Sequence, residues 1–139
     1  MSTETCIFCD IVAGKVPAFK VYEDERSLAF ADINPVTPGH TLVIPKNHTA
    51  NLWEITPGDL AGVHQAAQKV ARAMKAALKP AGIFLAQLNG EAAGQIIMHY
   101  HVHLIPRNPG DPLAAMHWEA KPGDMGEIQK LAIKIAEAI

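Results

Sequence analysis

Apolar and polar positions along the chain alternate between a period of two and a period near 3.6, and each switch marks an element. Phe19–Glu23 and Ser27–Asp32 are strand-like runs around the charged turn Glu23-Asp24-Glu25-Arg26, which predicts a hairpin. Pro35-Val36-Thr37-Pro38-Gly39 reads as a loop, and His40–Ile44 as a third strand stopped by Pro45. Thr56-Pro57-Gly58-Asp59 signals a helix start, with Thr at the N-cap, Pro at the first helical position and an acid at the third. Leu60, Val63, Ala67, Val70, Ala71, Met74 and Leu78 then fall on one face of a helix running from Pro57 to Lys79. Pro80-Ala81-Gly82 ends it, Ile83–Leu88 is a fourth strand, Asn89–Gly94 a loop and Gln95–Ile105 the fifth strand. Asp124 and Glu127 cap a last helix carrying Ile128, Leu131, Ala132 and Ile135 on one face. Cys6–Val12 fits a helical turn or two, and Asn108–Gly123 reads as loop. Strands joined by short loops, with helices kept apart, predict an α+β fold on a five-stranded antiparallel sheet.

The fifth strand carries an unusual row. In Met98-His99-Tyr100-His101-Val102-His103-Leu104, a period of two places His99, His101 and His103 on one face, with Met98, Tyr100, Val102 and Leu104 on the other. Imidazole titrates near neutrality, so such a row offers a nucleophile, a proton carrier or a metal ligand. Composition narrows the alternatives. The 139 residues fit one domain, and 49% are hydrophobic, enough for a core. A net charge of −2 gives no footprint for nucleic acid or an anionic membrane. No apolar stretch is long enough to span a bilayer, and Met1–Thr5 does not open like a signal peptide, so a cytoplasmic protein is expected. Cys6 and Cys9, three apart, make no disulfide framework and suit a reducing compartment.

Gly94-Gln95 followed by His99-Tyr100-His101-Val102-His103-Leu104-Ile105 resembles the signature of the histidine-triad superfamily. Phe30-Ala31-Asp32-Ile33-Asn34-Pro35 and Gly39-His40-Thr41-Leu42-Val43-Ile44-Pro45-Lys46 resemble its nucleotide-pocket strands, and Cys6-Ile7-Phe8-Cys9-Asp10-Ile11 resembles the opening of its bacterial members. The likeness runs from about Cys6 to Arg107, within a single domain of residues 1–139 whose last part, 108–139, is an extension. It is nearest to the histidine-triad nucleotide-binding proteins, and implies hydrolysis of nucleoside phosphoramidates or related nucleotidyl compounds with release of AMP or GMP.

The resemblance assigns the nucleophile to His101 and phosphoryl or leaving-group contacts to His103, with His40 continuing their hydrogen-bond network and His99 completing the triad. Asp32 would grip the ribose hydroxyls, with a turn residue before Asn34-Pro35 the competing reading. Ile33, Phe8 and Phe30 would line the base, although for both aromatics core packing is the preferred reading. Asn89, Gly94 and Gln95 would form the phosphate-side loop, where backbone N–H groups approach an anion. Ile96 departs from the family pattern, in which Ser or Thr follows the Gly-Gln pair. The resemblance further implies a structural zinc on Cys6, Cys9, His48 and His99, against two free buried thiols or a thioredoxin-like redox pair. No metal is then needed for the chemical step. A homodimer built on the long helix and the fourth strand is implied too, Ile83-Phe84-Leu85 being an edge in need of cover. His64, His117 and Arg107 are read as ordinary packing or surface residues. The competing functions are a dinucleoside polyphosphate hydrolase and a non-catalytic nucleotide- or metal-binding regulatory module.

Overall fold

The computed structural model describes residues 6–111 and 120–139. His117, the Met1–Thr5 start and the middle of the Asn108–Gly123 stretch lie outside them. The order of elements is α1 (Ile7–Val12), β1 (Lys20–Glu23), β2 (Ser27–Ala31), β3 (Thr41–Pro45), α2 (Pro57–Leu78), β4 (Gly82–Ala86), β5 (Val102–Arg107) and α3 (Met125–Glu137). The strands form one antiparallel sheet ordered β1-β2-β3-β5-β4. A single 3-10 turn, Glu91–Ala93, sits in the loop before β5.

Two apolar clusters cover the two faces of the sheet. Ala29, Val43, Val102 and Leu104 point to one face, against Val63, Ala66, Ala67, Val70 and Met74 of α2. Leu28, Phe30, Leu42 and Ile44 point to the other, against Cys6, Phe8 and Ile11 around α1. Burial on both faces explains why β2 and β3 read as continuous apolar runs rather than alternating ones. The α1 face is covered by a helix of only six residues, and the odd-numbered histidines of the row fall on that face.

The helix signals are realised. Thr56 accepts from the Asp59 amide, Pro57 opens α2, and Lys79 closes it in the left-handed region at φ 51°. Asp124 accepts from the Gly126 and Glu127 amides to start α3, every residue of which is exposed. The hairpin turn is held by Asp24, whose Oδ1 accepts from the Arg26 and Ser27 amides at 2.8 Å each. The sheet's two edges differ. β1 carries Lys20 and Glu23 and an irregular register, whereas β4 (Gly-Ile-Phe-Leu-Ala) carries no charge.

One element departs from expectation. The fifth strand starts at Val102, not Gln95, because β3 has nothing further to offer it. The pairing Val43↔Val102 is followed two residues along β3 by Pro45, which has no N–H to donate. The Pro45 carbonyl is taken by a histidine ring instead. Alternation nevertheless persists through the unpaired stretch, with Tyr100 in the α2-side core. Met98 does not join that core and stays partly exposed. Leu104, fully buried between sheet and α2, tests this core: Leu104→Ala is expected to cost about 2–5 kcal/mol of unfolding free energy in urea titration, and a loss under about 1 kcal/mol would show that its neighbours collapse into the gap.

Candidate functional site

Backbone geometry delivers the histidines. Gly39, at φ +95°, lets the loop before β3 pass so close to α2 and β5 that a Cβ would meet Leu78 Cδ1 at 2.7 Å and Pro106 Cγ at 3.1 Å. Thr37 ties the same loop to β5 by donating to the Pro106 carbonyl at 2.6 Å. His40 therefore arrives buried beside His103, with which β5 faces it: His40 Nε2 lies 3.0 Å from His103 Nδ1. The His101 and His103 rings are 5.0 Å apart.

The ring partners assign each proton. The Val36 amide donates to His40 Nδ1 at 3.0 Å, so a neutral His40 carries its proton on Nε2 and donates to His103 Nδ1. His103 then carries its own proton on Nε2. His101 donates from Nδ1 to the His99 carbonyl at 2.6 Å, leaving its Nε2 lone pair without a hydrogen bond among the described residues. Burial keeps all of these rings neutral. It pushes His103 down to about 4, helped by the His101 and His40 rings and opposed by Asp32. It lowers His101 against the opposing His99 carbonyl and Asp32, and lowers His40 against Asp32. The result is an unprotonated nitrogen on His101 beside a donor on His103, suited to attack on an electrophile with stabilisation of the charge that develops.

A second group meets 93 residues apart in sequence. The ligand atoms of Cys6, Cys9, His48 and His99 lie within 4.8 Å of one another. His99 Nδ1 is 3.3 Å from Cys6 Sγ and 3.5 Å from Cys9 Sγ, and His48 Nδ1 is 3.2 Å from Cys9 Sγ. Tetrahedral zinc, with bonds of about 2.3 Å to sulfur and about 2.0–2.1 Å to nitrogen, would set S and N about 3.5 Å apart, so the donors fit. His99 Nε2–H donates to the Pro45 carbonyl at 2.8 Å, which fixes the tautomer a metal needs at Nδ1. Burial drives His99 down to about 4, with the Pro45 bond opposing, so its lone pair is free. Burial and then Cys6 push the Cys9 thiol up to about 12, so two thiolates this close need a cation between them. His48 Nε2 is buried without a partner, which leaves the orienting contacts to His99.

Asp32, His40 and His103 bring three further donors together, but they suit a metal poorly. The proton on His40 Nε2 points into the group, and moving it to Nδ1 would oppose the Val36 amide. Asp32 is held in the turn before Asn34-Pro35. Its Oδ1 accepts from the Asn34 amide at 2.8 Å in a turn, and Oδ2, 3.6 Å from His40 Nε2, keeps acceptor capacity. Ile33 is 77% exposed and Ile96 89%, both available to a ligand.

Phe8 and Phe30 are core residues, packed edge-to-face at 5.5 Å. Phe8 also edges His99 and His101, with ring centroids 5.9 and 5.2 Å away. The Gln95 side chain turns inward, donating to the Ala50 and Ile97 carbonyls and accepting from the Gly90 amide, so it shapes the loop. Asn89 pairs amide-to-amide with Gln87 and accepts from the Leu52 amide, while Gly94 turns the loop at φ 96°. Gln87 went unnoticed in the sequence, since residues 87–89 lie beyond the end of β4 and no strand alternation marks the pair. The Val36 amide and Pro45 carbonyl have no side-chain signature. His64 bonds the buried Tyr100 hydroxyl at 2.9 Å, a packing role as expected. Arg107 is half-buried rather than free at the surface, paired with Asp111 at 3.3 Å and over the Phe84 ring.

Residues 13–110 match the HIT domain family. A crystal structure of a HIT family member from Bacillus subtilis superposes with a TM-score of 0.91 at 42% identity, covering 98% of each chain. A zinc-bound histidine triad family protein from Mycobacterium smegmatis superposes at 0.77 with 38% identity, covering 99% of each. A Candida albicans protein named adenosine 5′-monophosphoramidase HNT1 is 32% identical over 142 residues, covering 99% of this chain and 93% of its own. With a matched domain, a shared fold and the three alternating histidines on one face, the chain belongs to the HIT family. Among the described residues no helix is long and apolar enough to cross a membrane.

A pH dependence follows from His103. Its ring titrates near 6.5 when unfolded and at about 4 when folded, so the unfolded chain binds the proton first as pH falls. Stability from this group is full above about pH 6.5 and declines toward about pH 4. His103→Gln is expected to flatten that decline in urea midpoints compared at about pH 7 and about pH 4.5; equal declines in both proteins would contradict it.

Proposed function

We propose that this chain hydrolyses nucleoside phosphoramidates, or closely related nucleotidyl compounds, by passing the nucleotidyl group through His101. The observation that carries the reading is the 2.6 Å bond from His101 Nδ1 to the His99 carbonyl, which leaves Nε2 as a lone pair on a held ring. In the first step Nε2 bonds to the α-phosphorus and the phosphorus–nitrogen bond of the substrate breaks. The leaving amine takes the bonding pair and a proton from solvent. The ring becomes a nucleotidyl imidazolium whose Nδ1–H is already accepted by the His99 carbonyl. Water then attacks the same phosphorus, the bond to Nε2 breaks, a proton leaves, and neutral His101 returns with a nucleoside monophosphate released. His103 Nε2–H hydrogen-bonds a phosphoryl oxygen or the leaving nitrogen, and His40 holds His103 in that tautomer. Asp32 Oδ2 accepts from a ribose hydroxyl and Ile33 borders a purine base. The Candida albicans relative, named for this activity, supports the reaction class.

We also infer a structural zinc on Cys6, Cys9, His48 and His99. The donor spacing and the zinc-bound Mycobacterium smegmatis structure support it. Four protein ligands close such a site, so its chemistry is cross-linking rather than activation of water. Two cysteines not joined in a disulfide fit a reducing, cytoplasmic setting. A second copy pairing through α2 and the uncharged edge of β4 accounts for the exposed Leu85 on that strand.

His101→Ala is expected to lower turnover of adenosine phosphoramidate by about 10³-fold or more, as removal of a nucleophile does, while acid-quenched wild type carries AMP on His101 by mass spectrometry. Turnover unaffected by the substitution would end this reading, and faster turnover of a dinucleoside polyphosphate would move the substrate class. Ile96→Ser, restoring a hydroxyl donor at an exposed position, is expected to raise kcat for the phosphoramidate by about tenfold. Metal analysis of protein purified without chelator should find one zinc per chain, and its absence would remove the zinc assignment.

A further inference from the structure

The acceptor that sets His101 is itself held from outside the sheet. His99 and His101 precede β5, so no ladder bond fixes the His99 carbonyl. The backbone there is anchored by the Tyr100 amide, which donates to the Thr49 carbonyl at 2.7 Å. The other anchor is the fully buried His99 ring, pinned between the Pro45 carbonyl and the Cys6 and Cys9 sulfurs. One residue thus gives its ring to the cysteine cluster and its carbonyl to the nucleophile.

A second contact joins the same two places. Phe8 sits between Cys6 and Cys9 on α1, and its ring packs edge-on to His101 with centroids 5.2 Å apart. A helix of six residues has no stability of its own and depends on what anchors it.

We propose that occupancy of the Cys6–Cys9–His48–His99 cluster by a metal sets the orientation and tautomer of His101, through the His99 backbone and the Phe8 ring. His99 and Phe8 are positioning residues in this scheme, and the cluster governs the nucleophile as well as bracing the N-terminus. The proposal rests on the zinc reading above.

The test uses full-length protein labelled with ¹⁵N-histidine, carrying one equivalent of Zn²⁺, carrying Cd²⁺ in its place, or stripped by chelator. His101 is followed by two-bond ¹H–¹⁵N correlation, which reports its tautomer without substrate. Zn²⁺ and Cd²⁺ protein should show the Nδ1–H form, and stripped protein a mixture, reversed by adding Zn²⁺. In parallel, kcat for adenosine phosphoramidate, normalised to the folded fraction read from far-UV dichroism, should fall about tenfold or more on stripping with KM within about twofold. His48→Ala, which keeps both thiols and His99, supplies an intermediate case if stripped protein loses its far-UV dichroism. An unchanged Nδ1–H form in metal-free protein that remains folded, or in His48→Ala of lowered metal content, would overturn the proposal while leaving the zinc site standing. Failure of the protein to bind metal at all would overturn both. Absence of phosphoramidate turnover would end the proposed reaction alone, since the tautomer is read independently of it.

Discussion

The hydrogen bond from His101 Nδ1 to the carbonyl of His99, 2.6 Å long and spanning two residues, governs what the whole histidine row is able to do. A free imidazole exchanges its proton between two nitrogens and rotates between orientations. On this backbone it does neither, because a carbonyl cannot donate and so admits only one tautomer. Burial then removes the remaining alternative, the charged ring, by making imidazolium costly. The neighbouring rings follow the same logic, each assigned by a backbone group at the end of its chain of bonds: the Val36 amide for His40 and, through it, His103.

That logic also separates two clusters that look alike by count. Cys6, Cys9, His48 and His99 converge with a lone pair on His99 Nδ1 facing the thiols, since its other nitrogen is spent on the Pro45 carbonyl. Asp32, His40 and His103 converge with a proton in the way. One group turns lone pairs inward and the other turns an N–H donor and a carboxylate inward, although both contain two imidazoles. Where backbone polar groups point, rather than which side chains gather, makes the difference.

Much of this was legible beforehand. The α2 cap at Thr56, the hairpin turn at Asp24 and the two-residue alternation at the histidines are local rules, and each is met. The cysteine–histidine group and the His40 approach were reached only through resemblance, because contacts across 93 and 63 residues leave no periodic trace. The early start assigned to the fifth strand failed for two reasons: Ile96, Ile97 and Met98 are three apolar residues in succession, so alternation begins only near His99, and Pro45 opposite has no N–H. Gln95 was assigned toward a ligand, yet its side chain serves the framework, whereas Phe8 and Phe30 pack in the core as their preferred reading has it. A polar side chain that satisfies backbone from within and one that greets a substrate are the same letter in a sequence.

The unequal margins of the sheet bear on how it grows. Charges and an irregular register guard the β1 side, while β4 itself carries neither. Among the described residues, an extra strand would therefore find an unguarded edge on the β4 flank alone. If that strand is β4 of an identical molecule, the enlarged sheet presents two guarded flanks and propagation halts at a pair, so the same bare border that invites association also terminates it before a fibril can form.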